Sequence, residues 1–156
     1  MKAAVARVVE ALRAAGVDAE VTEFAESTRT AAEAAAAVGA TVGQIVKSLV
    51  FLAGDVPVLA LVSGANRADT NRLAAAAGAP IRRADADAVR AATGFAIGGV
   101  PPIGHAAALR TFLDADLLQF ERVWAAAGTP NAVFPITPAE LVRITNARTI
   151  DLKTSV

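Results

Sequence analysis

The sequence from Gln44 to Val62 is Gln-Ile-Val-Lys-Ser-Leu-Val-Phe-Leu-Ala, then Gly-Asp, then Val-Pro-Val-Leu-Ala-Leu-Val. Two apolar, β-rich runs, Ser48–Ala53 and Val56–Val62, lie on either side of the pair Gly54-Asp55. A two-residue break of this kind between two such runs is typical of a β-hairpin. The segment therefore predicts two antiparallel strands joined by a tight turn.

Further helices and strands are predicted on both sides of this hairpin. Val5, Val8 and Leu12 recur at helical spacing, and Thr-Ala-Ala-Glu from Thr30 is a capping box, whose side chains satisfy free amides at a helix start. The predicted helices are Lys2–Ala15, a helix from Thr30 to Gly39, a turn opened by Thr41, Asp69–Ala77, Asp85–Thr93 and Pro138–Ile144. The other predicted strands are Glu20–Phe24, Ile81–Arg83, Thr111–Leu113, Arg122–Ala126, Ala132–Ile136 and Arg148–Leu152. Adjacent strands without regular helix alternation indicate an α/β fold of the α+β kind, with a mixed or antiparallel sheet flanked by helices.

The composition limits the class of protein. With 156 residues, 54% of them hydrophobic, the chain is expected to form one folded domain over residues 1–156. No apolar run reaches the roughly 18 residues of a membrane span, and Arg7, Glu10 and Arg13 interrupt any signal-like start, so we expect a cytoplasmic protein without membrane contact. Fifteen basic and fifteen acidic residues cancel, which argues against a general nucleic-acid coat protein but not against a partner that inserts one end into a pocket. Zero cysteines exclude disulfides, thiolate metal sites and a cysteine nucleophile.

Lys47 is the most unusual cation in the chain. Twelve of the fifteen basic residues are arginine, and Lys2 and Lys153 lie near the chain ends, whereas Lys47 lies inside an apolar run. A compact ammonium at this place could hold a phosphate or a carboxyl group, which a forked guanidinium does less well in a confined site. The alternative is a lysine at a strand edge whose ammonium extends into water.

The segment from Gly94 to His105 is a second candidate for chemistry. It holds four glycines and two prolines within eleven residues, which fixes an unusual backbone path. The amides of Gly98 and Gly99 could stabilise a carbonyl oxygen as negative charge develops on it. A purely structural turn between a helix and a strand is the equally good alternative at this stage.

Standard catalytic motifs are otherwise absent from the sequence. His105 is the single histidine, so the usual zinc sites cannot be built, and no metal site is expected. As a general base it has a suitable pKa, but an uninvolved loop histidine is the favoured interpretation. Ser48 and Ser63 lack the Gly-x-Ser-x-Gly elbow of serine hydrolases, and no phosphate-binding glycine motif is present.

These pieces, in this order, resemble the YbaK/prolyl-tRNA synthetase editing-domain family. Each piece alone is a weak signal, but the ordered set is specific and runs from about Val5 to Leu152. The matching segments are Thr28–Ala35, Gln44–Phe51, Gly94-Phe95 with Gly98–Gly104, Leu113-Asp114 before Leu117-Leu118, Trp124–Gly128 and Pro138–Leu141.

The resemblance implies a function and a set of site residues. The family folds as a mixed α/β domain around a curved sheet, and without a metal it hydrolyses the ester between an amino acid and tRNA, typically alanine or cysteine misplaced on the tRNA for proline. Carried over, its active-site lysine is Lys47 and its glycine-proline loop is Gly98–Pro102. The position before the motif proline is usually serine or threonine, and here it is Pro101, which bears on substrate preference. The residues expected to be catalytic are Lys47, Gly98 and Gly99, and those expected to bind substrate are Phe51, Ile97, Val100, Pro101, Pro102, Ile103, His105 and Ser63.

Chemistry and resemblance lead to the same hypothesis. An aminoacyl ester is already activated, so the protein needs to position a water molecule and stabilise the oxyanion, with help from the neighbouring ribose hydroxyl of the substrate. The expected partner is the acceptor end of tRNA, aided in one version by an aminoacyl-tRNA synthetase, and no cofactor is expected. The alternatives are a non-catalytic module that binds the acceptor end or a synthetase, and a hydrolase for another small aminoacyl ester or amide.

Overall fold

The computed structural model describes residues 2–25 and 30–154. Thr28 and Arg29 of the first matching segment lie outside them. The helices are α1 (Ala3–Ala14), α2 (Ala31–Val38), α3 (Thr70–Ala77), α4 (Ala86–Thr93) and α5 (Pro138–Thr145), with 3-10 turns at Val42–Gln44 and Ala115–Gln119. The strands are β1 (Thr22–Glu23), β2 (Val46–Ala53), β3 (Val56–Ser63), β4 (Ile81–Arg83), β5 (Arg110–Asp114), β6 (Val123–Ala126), β7 (Ala132–Ile136) and β8 (Arg148–Ile150).

The predicted hairpin is the centre of a five-stranded mixed sheet. β2 and β3 pair antiparallel along their whole length, from Val46 opposite Ser63 to Ala53 opposite Val56. The sheet has the order β4-β2-β3-β5-β8, and β3–β5 and β5–β8 are parallel pairs. A second sheet, β1-β7-β6, is antiparallel and is joined to the first by a bridge between Ile45 and Trp124. This confirms the predicted mixed α/β class, with the strands divided between two sheets.

Helices α2, α3 and α4 begin at capping residues, at the places where the sequence predicts a helix start. The hydroxyl of Thr30 accepts a hydrogen bond from the amide of Glu33, and the carboxylates of Asp69 and Asp85 cap α3 and α4 in the same way. The strand predicted at Glu20–Phe24 is shorter than expected, since only Thr22 and Glu23 form ladder pairs. Both residues are exposed, and β1 has a single neighbour, so little packing extends it.

The larger sheet is buried on both faces. Along β3, Leu59 and Leu61 belong to the core beneath α1, and Val58, Ala60 and Val62 belong to the core beneath α3. Strands covered on both faces have continuous apolar runs, which is the pattern of the hairpin segment.

One half of an edge of β2 is left without a strand partner. β4 pairs with β2 from Phe51 to Ala53, and no strand pairs with this edge between Val46 and Leu49 in the described part of the chain. The gap lies between the two sheets and beside α2 and the loop that follows α4, which positions the candidate site described below. Within residues 2–25 and 30–154, no helix has the length and apolar character to cross a membrane.

Candidate active site

A cleft of about 310 Å³ opens at the unpaired half of the β2 edge. One wall is the strand from Ile45 to Leu49, and α2 adds Ala31 and Ala34. The loop after α4 contributes Ile97, Gly98 and Val100. The smaller sheet and its β6–β7 turn contribute Trp124, Ala126, Thr129, Pro130, Ala132 and Val133. Four of the lining residues are alanines on α2, β6 and β7, which is how the alanine-rich composition bears on the site.

Lys47 lies in the wall of this cleft with its side chain half-buried. Its Nζ donates a hydrogen bond to the backbone carbonyl of Asn66 at 2.5 Å. The other two ammonium hydrogens have no acceptor among the described residues. Burial lowers the pKa of Lys47, and the negative charge of Asp114 acts in the opposite direction. A cation that has one fixed acceptor among the described residues and further hydrogens to donate is suited to hold a phosphate or a carbonyl oxygen.

Ser48, the next residue along β2, also lines the cleft. Its Oγ is buried and has no hydrogen-bond partner within the described residues. An unpaired buried hydroxyl costs about 1–3 kcal/mol, so such groups in native proteins require an explanation. Ser48 lines both this cleft and the compartment beside it, so we expect a bound substrate to supply the missing partner after a small local adjustment.

The glycine loop brings one of its two predicted glycines to the cleft. Gly98 lines it, with φ at 88°, and the amide of Gly98 has no acceptor among residues 2–25 and 30–154. Gly99 lies behind, where its amide donates to the carbonyl of Ala96 at 3.1 Å. A Cβ at Gly99 would lie 2.7 Å from the Cα of Thr129, so glycine allows the two loops to touch.

A smaller compartment of about 130 Å³ adjoins the cleft. The two spaces share Ser48, Leu49, Ile97 and Val100, and the compartment extends to Phe51. Val89 and Ala84 complete its apolar lining, and Arg83 lies at its edge. The predicted binding residues Phe51, Ile97 and Val100 therefore come together with Lys47 and Gly98.

The remaining predicted residues lie elsewhere. Pro102, Ile103 and His105 line a different cleft, of about 300 Å³, together with Ile144 and Thr145. Pro101 is buried, and its carbonyl is 2.7 Å from the Nε2 of His105. Burial lowers the pKa of His105, and the Pro101 contact opposes this shift.

Ser63 does not line the main cleft and is almost fully buried below it. Its hydroxyl donates to the carbonyl of Gly43 at 2.7 Å, and its amide donates to the carboxylate of Asp114 at 3.1 Å. These contacts hold the start of the loop that carries Asn66. A role in substrate binding stays a prediction for Ser63 and for the residues of the other cleft.

Sequence reasoning missed several residues of the cleft. From the sequence, Ser48 is considered only as a possible nucleophile and is set aside because the serine-hydrolase motif is absent. Its place directly after Lys47 in the matching segment is the signal that could have identified it. Thr129 and Pro130 lie in a turn that nothing in the local pattern connects with the glycine loop. Among the described residues, no three His, Asp or Glu side chains are grouped so as to hold a metal ion.

Comparison with known proteins defines the class to which this fold and cleft belong. A family model described as the aminoacyl-tRNA editing domain matches residues 25–144, so this chain belongs to the aminoacyl-tRNA editing domain family. The resemblance drawn from the ordered motifs is thereby confirmed. The matched region includes Lys47, the glycine-proline loop and the turn at Thr129.

Individual relatives cover nearly the same length. A crystal structure described as "a putative trans-editing enzyme for prolyl tRNA synthetase" is 51% identical, covers 99% of both chains and superposes with a TM-score of 0.96. YwhH of Bacillus subtilis, an uncharacterized protein, is 35% identical over 123 residues, 78% of each chain. EbsC of Enterococcus faecalis, described as a "putative Cys-tRNA(Pro)/Cys-tRNA(Cys) deacylase", is 28% identical over 136 residues, 85% of this chain and 83% of that one.

Proposed function

We propose that this chain is a trans-editing hydrolase that removes a small amino acid, alanine or cysteine, from the tRNA for proline. The observation that carries the proposal is that Lys47, Gly98 and Ser48 line one cleft, and that the amide of Gly98 and the hydroxyl of Ser48 have no hydrogen-bond partner among the described residues. Membership of the editing-domain family and the described activity of EbsC support the same reaction class.

The reaction needs little from the protein beyond placement and charge stabilisation. Water adds to the carbonyl carbon of the aminoacyl ester, and the Gly98 amide stabilises the oxyanion that forms. The ester C–O bond then breaks, and the proton released by the water passes to the departing ribose oxygen. The neighbouring ribose hydroxyl assists this transfer. Lys47 orients the substrate through the terminal phosphate or the acyl carbonyl, and no cofactor takes part.

The partner in this proposal is the acceptor end of tRNA, because a protein without net charge is poorly suited to bind a nucleic-acid backbone along its length, whereas a cleft can hold one chain end. The main cleft of about 310 Å³ accepts the terminal nucleoside, and the adjoining apolar compartment accepts the amino-acid side chain. The rest of the tRNA is recognised either by this protein or by an aminoacyl-tRNA synthetase that delivers the tRNA to it.

The compartment selects mainly by size, since most of its lining is apolar and includes Leu49, Phe51 and Val100, whereas Arg83 lies at its edge. Steric sieving of this kind yields about 10–200-fold per methylene. We therefore expect alanyl- and cysteinyl-tRNA for proline to be deacylated and correctly charged prolyl-tRNA to be spared by at least about tenfold.

The experiment is a deacylation assay on alanyl-, cysteinyl- and prolyl-tRNA for proline, each corrected for spontaneous hydrolysis. Turnover of the first two and sparing of the third supports the proposal. Equal turnover of all three would contradict the size sieve. Binding of the charged acceptor end without turnover of any ester would replace the hydrolase by a binding module.

A further inference from the structure

A buried carboxylate lies behind Lys47, on the side away from the cleft. Asp114, the last residue of β5, has 1% of its surface exposed. Its Oδ2 accepts hydrogen bonds from the amide of Ser63 at 3.1 Å and from Nδ2 of Asn66 at 2.9 Å, and its Oδ1 accepts from the amide of Asp116 at 3.0 Å. Three donors fix the orientation of this carboxylate.

Asn66 connects this carboxylate with the cleft. Its side-chain amide donates to Asp114 and also to Oδ2 of Asp116, at 2.8 Å, so the side chain has a single orientation. Its backbone amide donates to the carbonyl of Ser63 at 2.9 Å, which closes a turn. The carbonyl of the same residue is the acceptor that holds the Nζ of Lys47.

The loop that presents this carbonyl is confined from other sides as well. The amide of Gly64 donates to the carbonyl of Ile45 at 2.7 Å, next to the cleft wall. A Cβ at Gly64 would lie 2.4 Å from the carbonyl oxygen of Val42, so the loop and the 3-10 turn approach to a distance that only glycine permits. The acceptor of Lys47 is thus built into the fold and does not move freely.

We propose that Asp114 is a positioning residue for Lys47, acting through Asn66 to set where the ammonium stands in the cleft. The inference rests on the proposed function, because Lys47 acts there on the substrate. Asp114 touches neither the cleft nor the substrate, so it has no catalytic contact of its own.

The electrostatic surroundings agree with this role. Burial lowers the pKa of Lys47, and Asp114 is the charged group that opposes the shift. Asp116 and Lys153 are the other charged side chains joined to the cluster, and they form an ion pair of 3.1 Å whose members are partly exposed. Solvent and salt screen such a pair, whereas they screen Asp114 much less.

The test uses the rarity of lysine in this chain. Lysine labelled with ¹³C at Cε gives three signals, from Lys2, Lys47 and Lys153, and titration of each signal by NMR reports its pKa without any substrate. Asp114→Asn removes the charge, and Asn66→Ala removes the side-chain bridge but keeps the backbone carbonyl. The matched control is Asp87→Asn, which removes a carboxylate from an exposed position on α4.

We expect the pKa of Lys47 to fall in Asp114→Asn and in Asn66→Ala and to stay unchanged in Asp87→Asn. The charged form acts on the substrate, so deacylation is present below the pKa of Lys47 and is lost as pH rises through it. A lower pKa therefore moves the alkaline limb of kcat to lower pH, after spontaneous ester hydrolysis is subtracted. Misplacement of the ammonium should lower kcat by up to about a hundredfold, with KM little changed.

If Asp114→Asn does not fold, Asn66→Ala still tests the inference, because it breaks the link between Asp114 and the carbonyl that holds Lys47. A lowered melting temperature with the pKa of Lys47 and the alkaline limb unchanged in the folded variants would reduce the network to a structural role and overturn the inference. Failure of the proposed function has a different signature, since wild-type protein would then leave every mischarged tRNA intact. The NMR titration still decides in that case whether Asp114 controls the charge of Lys47.

Discussion

At the scale of single residues, the sequence indicates a functional residue where a residue type is rare in the chain and stands in an unusual environment. Lys47 stands out because lysine is rare in this arginine-rich chain, and the structure places it in the wall of the main cleft. Ser48 is not predictable as a site residue, because serine is common and its missing hydrogen bond is visible only in three dimensions. Asn66 and Asp114 escape prediction for the same reason, since their role depends on contacts between segments about 50 residues apart.

Ser48→Ala provides a prediction in which stability and activity change in opposite directions. Removing an unpaired buried hydroxyl should stabilise the fold by about 1 kcal/mol, which raises the melting temperature by about 2–4 °C. Loss of one hydrogen bond to the substrate should lower kcat/KM for deacylation by about 2- to 10-fold.

The control for this variant is Ser63→Ala on the neighbouring strand. Its hydroxyl is bonded to the carbonyl of Gly43, so its removal should lower the melting temperature. Thermal denaturation of both variants, beside their deacylation rates, checks the pair. A melting temperature that falls in Ser48→Ala would show that its hydroxyl is paired in solution.

At the scale of elements, local sequence predicts helices, strands and turns better than it predicts their neighbours. Capping residues such as Thr30 and Asp85 mark the starts of α2 and α4 within one residue of their predicted places. The glycine-proline loop is recognisable from its sequence, but the sequence does not show that its two ends line different clefts. The structure places Gly98 at the main cleft and His105 at another, and Pro101 and Pro102 between them are buried.

Gly99→Ala tests the contact between the glycine loop and the β6–β7 turn. The added Cβ would lie within 2.9 Å of three backbone atoms of Thr129, and backbone cannot move aside as a flexible side chain does. We expect a loss of about 1–3 kcal/mol in the free energy of unfolding, together with reduced deacylation, because the displaced loop carries Gly98.

Gly78→Ala is the matched control for Gly99→Ala. Gly78 has a positive φ of 76° at the end of α3, and a Cβ added there would have nothing within 4 Å among the described residues. Alanine there should cost about 1–2 kcal/mol through backbone strain and leave deacylation unchanged. Urea denaturation and initial rates of both variants separate the two effects. Normal activity in a destabilised Gly99→Ala protein would show that this loop contact is not needed for the active site.

At the scale of the whole molecule, the fold class is predictable from the sequence and the strand order is not. The order of strand and helix signals leads to a mixed α/β domain, and the family resemblance agrees. The parallel pairing of β3 with β5 and of β5 with β8 joins segments far apart in sequence, so no local pattern specifies it. The cleft depends on strand pairing of the same long-range kind. It forms where β4 pairs with one half of the β2 edge and the smaller sheet faces the other half.

The central claim is that Lys47 acts on an aminoacyl ester within this cleft. The most direct measurement is the rate of alanyl-tRNA deacylation, on the tRNA for proline, by wild-type protein, Lys47→Ala and Lys47→Arg. We predict a loss of about 10²–10³-fold for Lys47→Ala and a large loss for Lys47→Arg, because a planar fork does not replace a compact ammonium at this position. Melting curves should show both variants folded. Wild-type rates in a folded Lys47→Ala protein would contradict the account.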